Sequence, residues 1–221
     1  MPNFTIQVND YEPFEKALRR WEAAVGILAT GTGACMAVRT GLFRPLAATH
    51  DVDFVTPIDV VCQGFRVVTA PRAVAFDSPP ATVRGEWRVR VRQTSRNLSG
   101  TVARWWGWRG WRFPAVTLGL LSHKVLRWLT GLFLLAALAS SLALWPRGGV
   151  YRAAAVVQAC AWVGGLASLA LSTRGVRLGR LPALGAFLWA SLAMMVGSVV
   201  AVFGRAQVTY EAAERGIHGA P

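Results

Sequence analysis

The stretch EWRVRVRQTSRNLSG, Glu86–Gly100, decides how this chain divides. Four arginines, Arg88, Arg90, Arg92 and Arg96, fall within it, accompanied by one acid, Glu86. Read locally, WRVRVRQ alternates as a strand does. Over a longer window, Val83, Trp87, Val91, Thr94 and Leu98 form an apolar stripe at spacings of four, four, three and four. Arg84, Arg88, Arg92 and Arg96 form the neighbouring row. The longer pattern predicts a helix, and an arginine row beside an apolar stripe reads as a solvated or interfacial face. So much positive charge suits nucleic acid, an acidic membrane surface, or a phosphate in a site.

Downstream the chain turns apolar. Of its 221 residues 53% are hydrophobic, yet the formal net charge is +13. Arginine supplies nearly all of that charge, a bias that discounts the pI as a sign of nucleic acid. Three apolar segments, about Trp128–Trp145, Ala153–Ser172 and Pro182–Phe203, approach the roughly 20 residues that cross a bilayer as helix. Their Ser, Gly and Ala content suits close helix packing in lipid. The loop TRGVRLGR, with Arg174, Arg177 and Arg180, reads as cytoplasmic, the loop PRGGVYR as external, and the whole first half as cytoplasmic. Between the halves, ARWWGWRGWRF interleaves Trp105, Trp106, Trp108 and Trp111 with Arg104, Arg109 and Arg112. Tryptophan and arginine together fit a headgroup layer, although the same mixture can stack on single-stranded nucleic acid.

Upstream the reading is an alternation of elements. Residues 11–27 read as a helix on Phe14, Leu18, Trp21 and Val25. GTGACMAVR reads as a glycine turn into a short strand. DFVTPIDVVCQG reads as a helix opened near Asp53 and closed by Gly64. FRVVTA and AVAF read as short strands. Cys35, Cys62 and Cys160 are scattered and odd in number, and His50, His123 and His218 lie far apart, so neither a disulfide framework nor a zinc site is indicated. The start, MPNFTIQVNDYEPFEK, is polar and does not read as a signal peptide.

The order of these motifs resembles the C-terminal portion of a membrane-embedded family 2 glycosyltransferase, of the cellulose and hyaluronan synthase kind. YEPFEKALRRWEAAVG, GTGACMAVRTGLF, DVDFVTPIDVVCQGFRVVTAPRAVAFD, EWRVRVRQTSRN and SHKVLRW carry the likeness, from about Tyr11 to the tail YEAAERG. It implies an α/β, partial GT-A-like domain (1–100), a Trp/Arg-rich interface segment (101–127), three transmembrane helices (128–204) and a tail (205–221). It implies transfer of a sugar from a nucleotide-sugar donor to a glycan or polysaccharide acceptor at the inner (plasma) membrane, against lipid and without nucleic acid. Asp53 matches the family's general base. A carboxylate there takes the proton of the attacking hydroxyl; read by itself, without the resemblance, Asp53 reads first as a helix N-cap. Asp51 precedes it, with Val52 where the family has its first acid. Thr32 and Gly33 match the segment beside donor and acceptor, where glycine lets backbone approach a sugar. For the family's Gln-x-x-Arg-Trp motif two registers stand. Gln93 and Arg96 fit one, with Asn97 for the tryptophan; in the other, preferred, Arg92 is the arginine and Gln93 takes the tryptophan slot. Guanidinium grips donor pyrophosphate either way. The family's nucleotide-binding half, with its Asp-x-Asp for Mg or Mn, has no counterpart in Met1–Asp10. The resemblance therefore places any divalent metal, and the donor uridine site, in a missing or separate N-terminal half. The alternative is a non-catalytic membrane remnant or subunit of a split enzyme.

Overall fold

The computed structural model describes residues 11–70, 72–73, 75, 82–105, 111–176 and 178–204. Helices α1 (Tyr11–Val25), α2 (Val52–Cys62) and α3 (Val83–Trp105) come first. Then follow α4 (Pro114–Trp128), which carries a π-helical stretch at Leu121–Val125, and α5 (Thr130–Ala143), α6 (Gly149–Ser172) and α7 (Leu181–Val202). Single 3₁₀ turns sit at Thr40–Leu42 and Trp145–Arg147.

Among the described residues there is no strand, which overturns the expected α/β, GT-A-like domain. FRVVTA is neither helix nor strand, with no strand among the described residues to take its backbone groups, and Val68 is 72% exposed. GTGACMAVR is a turn and extended chain. AVAF lies partly outside the described residues, as do Trp106, Trp108, Arg109, Arg177, the first ten residues and the tail after Gly204.

Glu86–Gly100 is helical throughout, and the longer stripe explains why. Its apolar side lies along α7. The Val83 carbonyl accepts a 3.2 Å hydrogen bond from Trp189 Nε1, and the Trp87 and Trp189 rings stand 4.5 Å apart. Further along, Val91 and Thr94 crowd Gly197, where a Cβ would meet the Val91 carbonyl at 2.7 Å and Thr94 Cβ at 2.8 Å. The contacts step up both helices together, so α3 and α7 run in the same direction. A strand of the same sequence would split this stripe between two faces.

Two helices, α6 and α7, are long and apolar enough to cross a membrane, and the chain is a membrane protein. They form an antiparallel hairpin whose outer faces expose Val156, Val157, Val163, Phe187 and Val199. The expected first span is not one helix. α5 has 14 residues, about 21 Å of helix against a hydrocarbon core of roughly 30 Å. It reaches spanning length only together with α4, from which it bends by 59°. The α6–α7 loop, with Arg174 and Arg180, lies at the start of α7, whereas α3 packs from Trp189 onward. This loop and the later turns of α3 thus lie toward opposite ends of α7.

The core of the first half gathers Phe54, Val55, Ile58 and Val61 of α2, Trp105 of α3, and Val116, Leu120 and Trp128 of α4, with Met194 of α7 against them. Trp105, expected at the headgroup layer, is buried, and its Nε1 donates to Thr117 Oγ1 at 2.9 Å. Trp111 is exposed. The α1 stripe also departs from expectation: Trp21 and Val25 point outward. α1 docks instead by charge, through Glu22 to His123 at 2.5 Å and Glu15 to Lys124 at 3.8 Å. The π-helical stretch of α4 supplies both basic partners. The Glu15 carboxyl lies below its ordinary range: burial pushes it up, but Lys124, Arg19 and Arg127 outweigh that.

Candidate functional site

The site is built on the first turn of α2, and a proline sets it up. Pro57 lies inside the helix. It has no N–H to give to the carbonyl four residues back, which is that of Asp53. That carbonyl instead accepts the Gly31 N–H at 2.8 Å. The glycine turn is thereby docked onto α2, with Pro57 Cγ 3.4 Å from the Cβ position of Gly31. Two residues on, the Cβ position of Gly33 lies 3.1 Å from Asp53 Oδ2. A side chain at 33 would crowd that carboxylate, so glycine keeps the approach to Asp53 open. Arg19 of α1 fixes the turn from the other side, donating to the Gly31 carbonyl at 2.8 Å and to Thr32 Oγ1 at 3.0 Å. Asp53, Thr32 and Gly33 are thus brought together.

The helix N-cap is Asp51, not Asp53, and its side chain makes no cap hydrogen bond. It is turned to α3 instead, where Arg96 Nε meets Asp51 Oδ1 at 2.6 Å. Arg96 also donates to the His50 carbonyl at 2.7 Å. Asp53 sits in the first turn of α2, where its charge favours the helix dipole. One step of four residues further along both helices, Val55 presses into Gly100. Another step brings Asp59 opposite Arg104, at 3.8 Å. α2 and α3 therefore run in the same direction with acids facing arginines at both ends and a glycine between. The row of arginines expected to face solvent or headgroups is, at Arg96 and Arg104, part of this interface.

Burial pushes the Asp51 carboxyl up; Arg96 pulls it down, Asp53 pushes it up and Arg92 pulls it down, and burial prevails. The ion pair is close but does not offset desolvation, as is common for buried pairs. Arg92, one turn before Arg96 on the same face, acts on the same carboxyl. Gln93 is exposed on a different face of α3. Of the sequence-selected residues, Thr32, Gly33, Asp51, Asp53, Arg92 and Arg96 share one region, and Gln93 is set apart.

No group of three or more His, Cys, Asp or Glu side chains is placed to hold an ion among the described residues, and Asp51 is engaged by Arg96.

Sequence reasoning missed two contributors. Arg19 is an ordinary helical arginine until the glycine turn folds back on it. His50 stands between the two ion pairs, its Nδ1 buried with no hydrogen-bond partner among the described residues. Burial pushes its pKa down, Arg104 and Arg96 add to that, and Asp59 opposes. Arg104 did leave a signal: it continues the Arg92, Arg96 and Gly100 row at steps of four. No family model, curated protein or solved structure matches this chain.

Proposed function

We propose that this chain is the acceptor-side and membrane part of a membrane-bound glycosyltransferase, moving a sugar from a nucleotide-sugar donor to a glycan acceptor. The observation that carries this is the Asp53 carboxylate standing beside the open Gly31–Gly33 turn, with Arg92 and Arg96 one helix away. In this reading Asp53 takes the proton of the acceptor hydroxyl. The hydroxyl oxygen attacks the anomeric carbon as the bond to the leaving nucleoside diphosphate breaks. Arg96 is committed to Asp51 and the His50 carbonyl, so it holds α3 against the start of α2. Arg92 is the arginine given the donor phosphate. The body formed by α1–α4 lies on the cytoplasmic side of the plasma membrane, because it carries far more Lys and Arg than the Arg174–Arg180 loop.

One observation favours a second, non-catalytic reading: Arg96 and Arg104 both serve interhelical pairs, as they would in a membrane subunit with no chemistry. One assay separates the two. Membranes bearing the full gene product are given labelled nucleotide sugars, and transfer to glycan is counted. The wild type should transfer sugar, and Asp53→Asn should lower the rate by about 10²–10⁴-fold, the usual worth of a general base. No transfer by the wild type, or undiminished transfer by Asp53→Asn, would sink the proposal.

A further inference from the structure

A cavity of about 280 Å³ opens at the far end of α2 from Asp53, lined by Arg44, Asp59, Cys62, Gln63, Arg104, Arg112 and Phe113. Three guanidiniums against one carboxylate leave its wall with a formal surplus of two positive charges. We propose that this cavity binds a phosphate-bearing group, of headgroup or pyrophosphate size, independently of the glycosyltransferase reading.

The three arginines come from three separate segments, and two of them, Arg44 and Arg104, are held by hydrogen bonds. Arg44, in the loop after Thr40–Leu42, donates to Gln63 Oε1 at 3.1 Å. Gln63 in turn donates to the Leu42 carbonyl at 2.9 Å and the Asp59 carbonyl at 3.1 Å, which ties that loop to the end of α2. Arg104, near the end of α3, donates to the Pro45 carbonyl at 2.7 Å and faces Asp59 at 3.8 Å. Arg112 stands 5.9 Å from the centre of the Phe113 ring, and Phe113 caps α4.

Holding three like charges around one space is unfavourable unless something offsets them. The one carboxylate present is Asp59, itself buried. An anion with several oxygens suits the arrangement, because guanidinium pairs with phosphate through two parallel N–H donors. The volume selects the size. Ligand pockets that enclose a whole drug-sized molecule run from roughly 300 to 1,000 Å³. At about 280 Å³ this cavity falls just below that range, so it holds the phosphate end of a ligand rather than an entire nucleotide sugar. Phe113 opens α4, the segment that leads to the membrane helices, so the test compares a lipid phosphate with a dissolved one.

The test uses the full chain in detergent and in nanodiscs. Inorganic pyrophosphate is titrated into the detergent sample by calorimetry. Phosphatidic acid is compared with phosphatidylcholine in nanodiscs by retained lipid, counted by native mass spectrometry. The wild type should bind in at least one arm: pyrophosphate alone assigns a dissolved ligand, and phosphatidic acid alone assigns a lipid. Arg44→Gln with Arg112→Gln changes two exposed residues and should weaken that binding by at least about tenfold. Arg147→Gln, in the α5–α6 loop, should leave it unchanged. If the double variant unfolds, Arg44→Gln alone should still weaken binding by severalfold. Absence of wild-type binding in both arms, or equal losses for Arg147→Gln and the cavity variants, would overturn the assignment.

Discussion

Two helix pairs in this molecule meet closely by different means. α2 and α3 are held in register by Asp51 with Arg96 and Asp59 with Arg104, with Gly100 admitting Val55 between them. α6 and α7 carry no charge at their crossing. There Gly185 lies against the Gly165 carbonyl, and a Cβ on it would meet Leu169 Cβ at 2.7 Å. The first pair packs in the body of the protein, where apolar burial rewards any compact arrangement and directional ion pairs choose one. The second faces lipid, where apolar side chains gain nothing by leaving the solvent. Only close fit distinguishes a partner helix from a lipid chain, so small residues carry the contact.

The sharpest way to break that contrast is at the glycines. Gly185→Leu drives a large side chain into the Gly165 backbone, which cannot yield as a flexible side chain would. It should cost about 3 kcal/mol or more, seen as a large fall in melting temperature in detergent. A loss as small as that of a surface change would show that α6 and α7 do not meet at this point.

The charged pair should fail more gently. Arg96→Met leaves Asp51 without its guanidinium, and both side chains are partly buried, at 13% and 19% exposure. A fully buried broken pair costs about 3–5 kcal/mol; partial solvent access should bring this one to about 2. Adding Asp51→Asn should restore much of it, and a double variant no better than the single one would show that Arg96 acts through the His50 carbonyl alone.

Asp51 also makes the first pair sensitive to pH in a way the second is not. Its folded-state pKa is raised above the ordinary carboxylate value. Its contribution therefore favours the fold at acid pH and is lost as pH rises through that raised value. Asp51→Asn should flatten this part of the stability profile between acid and neutral pH, measured by thermal unfolding. An unchanged profile would mean that the carboxyl is solvated.

The smallest effect is a control. Gly164 neighbours Gly165 but has open space at its Cβ position. Gly164→Ala should be neutral or stabilise by about 0.5–1 kcal/mol, through helix propensity. Destabilisation there would move the helix contact off the Gly165 face.

Much of the helical architecture was legible in the sequence, because periodicity over a long window is a local property. The stripe from Val83 to Leu98 is the face that α3 presents to α7 and the core, and the Gly64 stop ends α2 with φ +85. The expected strands did not form among the described residues, because alternation in a six-residue run such as FRVVTA becomes a strand only when another strand lies beside it. The α1 stripe misled for a related reason: an apolar face is buried only if something covers it, and the charges of Glu15 and Glu22 found partners first. The candidate site was half legible. Asp53, Gly33 and Arg92 could be picked out by motif order, whereas Arg19, His50 and the arginine cavity come from segments far apart in the chain.

By itself, the sequence determined the long helical segments, that the later ones are apolar enough to cross a bilayer, and that the positive charge concentrates ahead of them. These follow from residue type and spacing alone. Only the tertiary structure decided where that charge points. Arg96 and Arg104 turn to Asp51 and Asp59, and Arg104 joins Arg44 and Arg112 around a cavity. Electrostatic energy depends on the distance between groups in space, and a linear chain does not contain those distances until it folds.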